Sequence, residues 1–404
     1  MCPASQPSSV ERTRPGGKIV CAQLNSDDLV TRAFAATGLD DLGDIPYREP
    51  LDVLVDSLNR DAGLDDERLG TAGTMIMGLL AKRLRLVDDR TTYPAIADER
   101  IVAPLFIVGF PRSGSTHLHA LLAQVDGIRA PQNWELSMPS PPPEQATYAT
   151  DPRIAQLQAM MDQTPAEMLL RHPVGATRPE QCNGLMDWSF LNQALIAFYD
   201  IPTYRDWLLE ADYTPAYEAH RRTLQQLQWH APGQWVLKYP KHLLALDRLL
   251  AAYPDARIVW THRDPAVVVP SAASLTSYIR ASTTGTIDEP RFGREWATHE
   301  ELVLLRGLAV RDQIGDRDHR FYDLHYRDLM ADPAGAIAGI CDHFAMPFGD
   351  ESRDAIHRWV ADHPKTKHGA HHYTAEQFGL DTDGLHRRFA PYIERFGVQL
   401  EGTR

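Results

Sequence analysis

Five consecutive residues, Arg112, Ser113, Gly114, Ser115 and Thr116, follow a short apolar run and open a segment of helix-forming residues. A turn of this kind gathers backbone amides, and the positive end of the following helix adds to them, so the place suits an oxyanion. The stretch GFPRSGST nearly fits the triphosphate-binding pattern GxxxxGK[ST]. Gly109 and Gly114 fall in register and Thr116 stands at the magnesium-ligand position, but Ser115 replaces the lysine. The cation is Arg112, inside the turn, and its planar fork of donors suits an oxyanion. The anion expected here is therefore not a magnesium-bound triphosphate.

A second group lies far along the chain, in THRDPAVVVPSAASL. Asp264 can cap a helix that has Pro265 at its first position. Ser271 comes seven residues after Asp264, about two turns on, and so faces the same way. Arg263 and Ser271, eight residues apart, can then converge on an anion at the helix start. Lys238 ends another short apolar run, WVLK.

These groups must be positioned by strands. LFIVGF, WVLK, RIVWTH and RFYDLHY are short, branched or aromatic, and separated by helical stretches. That alternation predicts an α/β fold with a central, mostly parallel sheet and helices on both faces, in which ligands bind where the strands end. Before the first strand, apolar residues at three- and four-residue spacing over about 27–86 predict a helical cap. A second helical stretch, about 151–230, is rich in aromatic residues that either build a core or wall an apolar pocket. The expected organisation is a loose tail over 1–26, the cap over 27–100, and the α/β domain with its insertion over 101–404.

Composition narrows the class. A net charge of −13 argues against a nucleic-acid binder, which needs a basic face. The four cysteines are scattered without CxxC spacing, so no disulfide framework or zinc ribbon is expected. The first residues carry no apolar signal segment and no run approaches a membrane span, which makes a cytoplasmic protein the default expectation. Nothing in the sequence sets the oligomeric state.

PRSGST between a strand and a helix resembles the 5′-phosphosulfate loop of the sulfotransferases that use 3′-phosphoadenosine 5′-phosphosulfate (PAPS), in the bacterial, actinobacterial-type branch. The resemblance implies a P-loop-like three-layer fold. It implies sulfuryl transfer from PAPS to a hydroxyl or amine, with 3′-phosphoadenosine 5′-phosphate (PAP) as product and no metal required. Arg112 to Thr116 would hold the 5′ end, and Arg263 with Ser271 the 3′-phosphate. Lys238 stands where the family places a strand-end lysine. The family's basic glycine loop, often RKG, is absent, and HPKTKHGAHHY offers Lys367, His368 and Gly369 in its place. His368, His371 and His372 also suggest a metal site, against which stands the lack of a carboxylate or cysteine at ligand spacing.

Transfer to an acceptor needs a base near sulfur. Glu135, 23 residues after Arg112, stands where related enzymes carry a glutamate on the strand after the loop helix. His172, with Glu180 as a partner, and His242, in LKYPKHL, are the others. The family's histidine two residues after the lysine is here Pro240. His117 and His119 are at i and i+2, so they cannot both face the loop's ligand. The aromatic insertion points to a small hydrophobic acceptor, a phenol, a lipid alcohol or a glycoside. Two further readings stay open: a nucleotide kinase or triphosphatase, and a ligand carrier that keeps the fold without the chemistry.

Overall fold

In the computed structural model, which describes residues 23–315, 318–363 and 373–401, the four apolar runs are strands and a fifth joins them. β1 (Leu105–Gly109), β2 (Ile128–Arg129), β3 (Gln234–Lys238), β4 (Arg257–His262) and β5 (Phe321–His325) form a sheet in the order β2-β3-β1-β4-β5. Every neighbouring pair is parallel. β2 has two residues, too few to carry a period, and so escapes a reading by alternation. β1 lies between β3 and β4, and the strand order reverses there, which opens a crevice at the ends of these strands.

Both faces of the sheet are covered, which is why the strands read as continuous apolar runs. Phe106, Val108, Trp235, Leu237, Ile258 and Trp260 face one large core. Leu105, Ile107, Val236 and Val259 alternate with them into a second core on the other face. The second core is closed by Leu118, Leu121 and Leu122 on the helix that follows β1 and by the helices Pro333–His343 and Asp350–Asp362. The result is a three-layer α/β architecture.

The N-terminal helices are α1 (Ser26–Thr37), α2 (Arg48–Arg60) and α3 (Asp66–Thr92). Asn25 and Asp65 cap α1 and α3 by accepting from the third amide on. Their apolar faces, with Leu54, Ile76 and Leu80, enter the same core as the sheet. α3 runs to Thr92, beyond the expected end near Leu86. Its last turns lack apolar spacing, but Asp89 receives the Gln226 amide at 2.6 Å, so a partner in the insertion holds them. Earlier on α3, the Lys82 ammonium donates to the carbonyls of Leu136 and Gly184 and to Asp187 at 2.8 Å. A buried lysine with all three donors used ties the helix to the insertion.

The tail expectation falls mostly on residues 1–22, outside those described. Leu24 is already held, exchanging two hydrogen bonds with the Asn59 side chain. Among the described residues no helix is long and apolar enough to cross a membrane.

Candidate active site

The turn after β1 is built by backbone conformations that few residues accept. Gly109 has φ +125, and a β-carbon there would lie 2.4 Å from the Thr261 carbonyl oxygen on β4. Arg112 and Gly114 follow at φ +69 and +90. A left-handed arginine beside a left-handed glycine curls the chain into a concave arrangement of amides suited to an anion. Gly114 then starts α4 (Ser115–Leu122) without any side-chain cap, which leaves the first amides of the helix to a ligand.

Ser113 is a correction. Its hydroxyl is fully buried, donates to the Phe110 carbonyl at 2.6 Å and pairs with Thr261 Oγ1 at 2.6 Å. It fastens the turn to β4 instead of facing a ligand. Ser115 and Thr116 border open volume. With Arg112 they line a cleft of about 310 Å³ at the strand ends.

Lys238, Arg263, Ser271 and His172 line the same cleft. Lys238, at the end of β3, lies 3.4 Å from Thr116 Oγ1. Burial pushes its ammonium down to about 8, while Glu180 and Cys182 oppose that shift. Ser271, on the helix Pro265–Thr284, accepts from Arg112 Nε at 3.2 Å. Asp264 caps that helix as expected, accepting from the Ala266 amide, with Pro265 in the first turn. Two stretches that the sequence keeps 159 residues apart thus meet through one hydrogen bond.

Arg263 extends from the end of β4 across the Tyr326 ring, 3.8 Å from its centroid, and donates to the Arg112 carbonyl at 3.1 Å. Its Nε and Nη2 donate to the Glu401 carboxylate at 2.7 and 2.9 Å. Glu401 is placed in turn by its own amide, which donates to Asp264 at 2.7 Å. Beyond Arg263 lies a second cavity of about 500 Å³, lined in part by Tyr326, Met330, Val398 and Leu400. The two cavities share Arg263, Tyr326 and Met330, so they form one trough.

The three expected bases go to three different places. His172 reaches the cleft. It follows the helix Ala166–Arg171, whose last carbonyl accepts from Arg112 Nη1 at 3.2 Å. The Arg171 guanidinium lies 4.3 Å from the Tyr278 ring, which pins this part of the insertion to the helix Pro265–Thr284. Burial holds the imidazole below its ordinary pKa, with Glu180 opposing and Lys238 and Arg112 reinforcing the shift. It is therefore neutral near pH 7 and able to accept a proton.

Glu135 does not reach the cleft. It lies on α5 (Asn133–Ser137), a helix where a strand was expected, and it is fully buried. Its carboxylate pairs with Arg129, accepts from the Gln132 amide at 2.8 Å and accepts from the Tyr148 hydroxyl at 2.7 Å. This is the closing residue of a capping box with a buried ion pair. His242 is also misplaced by the sequence reading: it is buried beneath the cleft and lies 2.9 Å from the Tyr217 hydroxyl through Nδ1. Lys367, His368 and Gly369, with the neighbouring His371 and His372, lie outside the described residues.

His117 lines the cleft, and His119 turns into the core at 3.1 Å from the Val236 carbonyl, as their spacing required. The aromatic residues of the insertion mostly build core: Trp188, Phe190, Tyr199, Tyr204, Tyr213 and Tyr217 are all buried there. Sequence reasoning missed Tyr326 and Glu401. Tyr326 directly follows β5, so the rule that ligands sit at strand ends would have found it. Glu401 carries no local signal, since its partner is 138 residues away.

A parallel α/β sheet with an uncapped helix start, a lysine and two arginines converging where the strands end defines an oxyanion-handling protein of the P-loop-like class. The chain belongs to the sulfotransferase family, whose model matches residues 104–350. It is 26% identical over 311 residues to the omega-hydroxy-beta-dihydromenaquinone-9 sulfotransferase Stf3 of Mycobacterium bovis, covering 74% of this chain and 76% of that one. The crystal structure of sulfotransferase STF1 from Mycobacterium tuberculosis H37Rv superposes with a TM-score of 0.80 at 33% identity, over 91% of this chain and 99% of that one. Sulfotransferase STF9 from Mycobacterium avium gives 0.86 at 29% identity, over 94% and 98%.

Proposed function

We propose that this sulfotransferase uses PAPS as donor and that His172 is the base that activates the acceptor. The carrying observation is the convergence of Arg112, Lys238, His172, Arg263 and Ser271 on one trough. The uncapped start of α4, Arg112, Ser115 and Thr116 receive the 5′-phosphosulfate. Arg263 and Ser271 receive the 3′-phosphate, which displaces Glu401, and the adjoining cavity takes the rest of the nucleotide. Lys367, His368 and Gly369, the counterpart in sequence of the family's basic glycine loop, are proposed as further contacts to the nucleotide.

The acceptor oxygen attacks sulfur as its proton passes to His172. The bond from sulfur to the 5′-phosphate oxygen breaks, and the electron pair stays with PAP. Negative charge grows on that oxygen, where Lys238 and Arg112 stand ready without reorganisation. No step requires a metal.

For the acceptor we propose a hydroxyl at the end of an apolar molecule. The Stf3 relatives are named for an omega-hydroxylated menaquinone derivative. In this chain Leu275 lines the cleft and Leu170, two residues before His172, is exposed. Calorimetric titration with PAP, followed by transfer from labelled PAPS to long-chain alcohols, phenols and glycolipids, tests the reading. Stoichiometric PAP binding with transfer to an apolar alcohol is expected. Absence of PAP binding overturns the donor assignment, and transfer only to charged sugars overturns the acceptor class.

A further inference from the structure

Close to Lys238, three side chains from separate elements bring their donor atoms together. Cys182 precedes a short helix, His220 lies within the helix Thr214–Gln228, and His242 lies in the turn Pro240–Ala245 that follows β3. One ring nitrogen of each histidine and the cysteine sulfur lie within 4.8 Å of one another, and all three residues are at most 1% exposed.

The orientation of the rings is fixed from outside. His220 Nδ1 lies 2.7 Å from the Tyr253 hydroxyl, and His242 Nδ1 lies 2.9 Å from the Tyr217 hydroxyl. That leaves Nε2 of both rings buried and without a hydrogen-bond partner. A thiol carries one proton and can satisfy at most one of them. Two orphaned imidazole nitrogens in a dry pocket are costly, at roughly 1–3 kcal/mol each. A tyrosine oxygen can accept from Nδ1–H, and in that tautomer Nε2 carries the lone pair that a metal ion needs.

We propose that Cys182, His220 and His242 form a three-coordinate site for one soft transition-metal ion, and that the ion is monovalent copper. The donor set is one thiolate and two imidazoles, which suits copper(I) or zinc. Charge decides between them. A monovalent ion with one thiolate is neutral, whereas a divalent ion leaves a net charge in a pocket walled by Phe106, Tyr217 and Tyr253. Burying an uncompensated charge costs several kcal/mol. Binding replaces the thiol proton by copper, releases that proton to solvent and changes no oxidation state. Metal–ligand bonds of about 2.0 Å to nitrogen and 2.3 Å to sulfur require the three atoms to draw together by about 1 Å, within side-chain adjustment.

The site is a structural clip and takes no part in sulfuryl transfer. The Cys182 amide donates to the Lys238 carbonyl at 3.0 Å. An ion held here would lock two parts of the insertion, at Cys182 and on the helix Thr214–Gln228, to the turn after β3 beside the lysine at the cleft.

The test uses the full chain without an affinity tag, with His368, His371 and His372 changed to Asn so that they cannot take up metal. Anaerobic competition with a copper(I) chelator, elemental analysis and X-ray absorption are the readouts. We expect one copper per chain, two nitrogens and one sulfur around it, and a rise in melting temperature on loading. Cys182→Ser should weaken binding by about 10²-fold or more, and the milder Tyr253→Phe, which keeps the fold and all three ligands, by about 10-fold. No copper uptake by the parent chain, or uptake unchanged in Cys182→Ser, overturns the site. Retention of zinc in preference to copper(I) overturns the assignment of a monovalent ion.

Discussion

The corner after β2 and the cleft at the ends of β1, β3 and β4 hold similar chemistry, an arginine close to a group that can take a proton. At the corner, Glu135 is closed in by Arg129, the Gln132 amide and the Tyr148 hydroxyl. Both carboxylate oxygens are engaged, and the group works as a strut. In the cleft, His172 has charged neighbours in Lys238 and Arg112, and its ring borders open volume. The two differ less in residue type than in what their surroundings leave unsatisfied. A reacting group must have a free valence for the substrate, and a structural one must not.

Exchanging the chemistry of the two regions breaks or sharpens this contrast. His172→Asn should lower kcat by about 10²–10⁴-fold while PAP affinity and melting temperature stay at the parent values. A mutant that keeps full kcat would remove His172 as the base. Glu135→Gln should do the reverse. It leaves Arg129 buried against a neutral partner, and a loss of about 3–5 kcal/mol is expected in denaturant unfolding, with activity per folded molecule retained. Loss of turnover without loss of stability would return Glu135 to the reaction.

Smaller effects sharpen the picture of the cleft. Arg263→Ala should weaken PAP binding by about 1.5–3 kcal/mol, read by calorimetry, through loss of a charge-assisted contact. Burial disfavours the charge of Lys238 and pushes its ammonium down to about 8. Its cationic form is lost as pH rises, so PAP affinity should fall through pH 8, and the fall should vanish in Lys238→Met. The smallest change is expected from Glu401→Gln. It frees Arg263 from a partly exposed ion pair, and PAP should bind more tightly by up to about 1 kcal/mol.

Much of the cleft was legible because its parts are local patterns at strand ends. A glycine that only a tight turn needs, an arginine within it and an aspartate–proline helix start are each fixed by backbone geometry over a few residues. Arg112, Ser115, Thr116, Lys238, Arg263, Ser271 and His172 accordingly line one space. Ser113 was misread because a hydroxyl beside a glycine has the same sequence whether it faces a ligand or Thr261. The aromatic insertion was legible as apolar, and of its two readings, core or pocket wall, most of its rings took the first.

By itself, then, the sequence determined the alternation of strands and helices, the turn after β1, the helix cap at Asp264 and the cationic character of the strand ends. These depend on neighbours within about two helical turns. Tertiary structure alone decided which of Glu135, His172 and His242 would face the cleft, that Glu401 would occupy Arg263, and that Cys182, His220 and His242 would meet behind Lys238. Those outcomes depend on which side chains the packed fold brings together across tens to more than a hundred residues, and no local spacing records that.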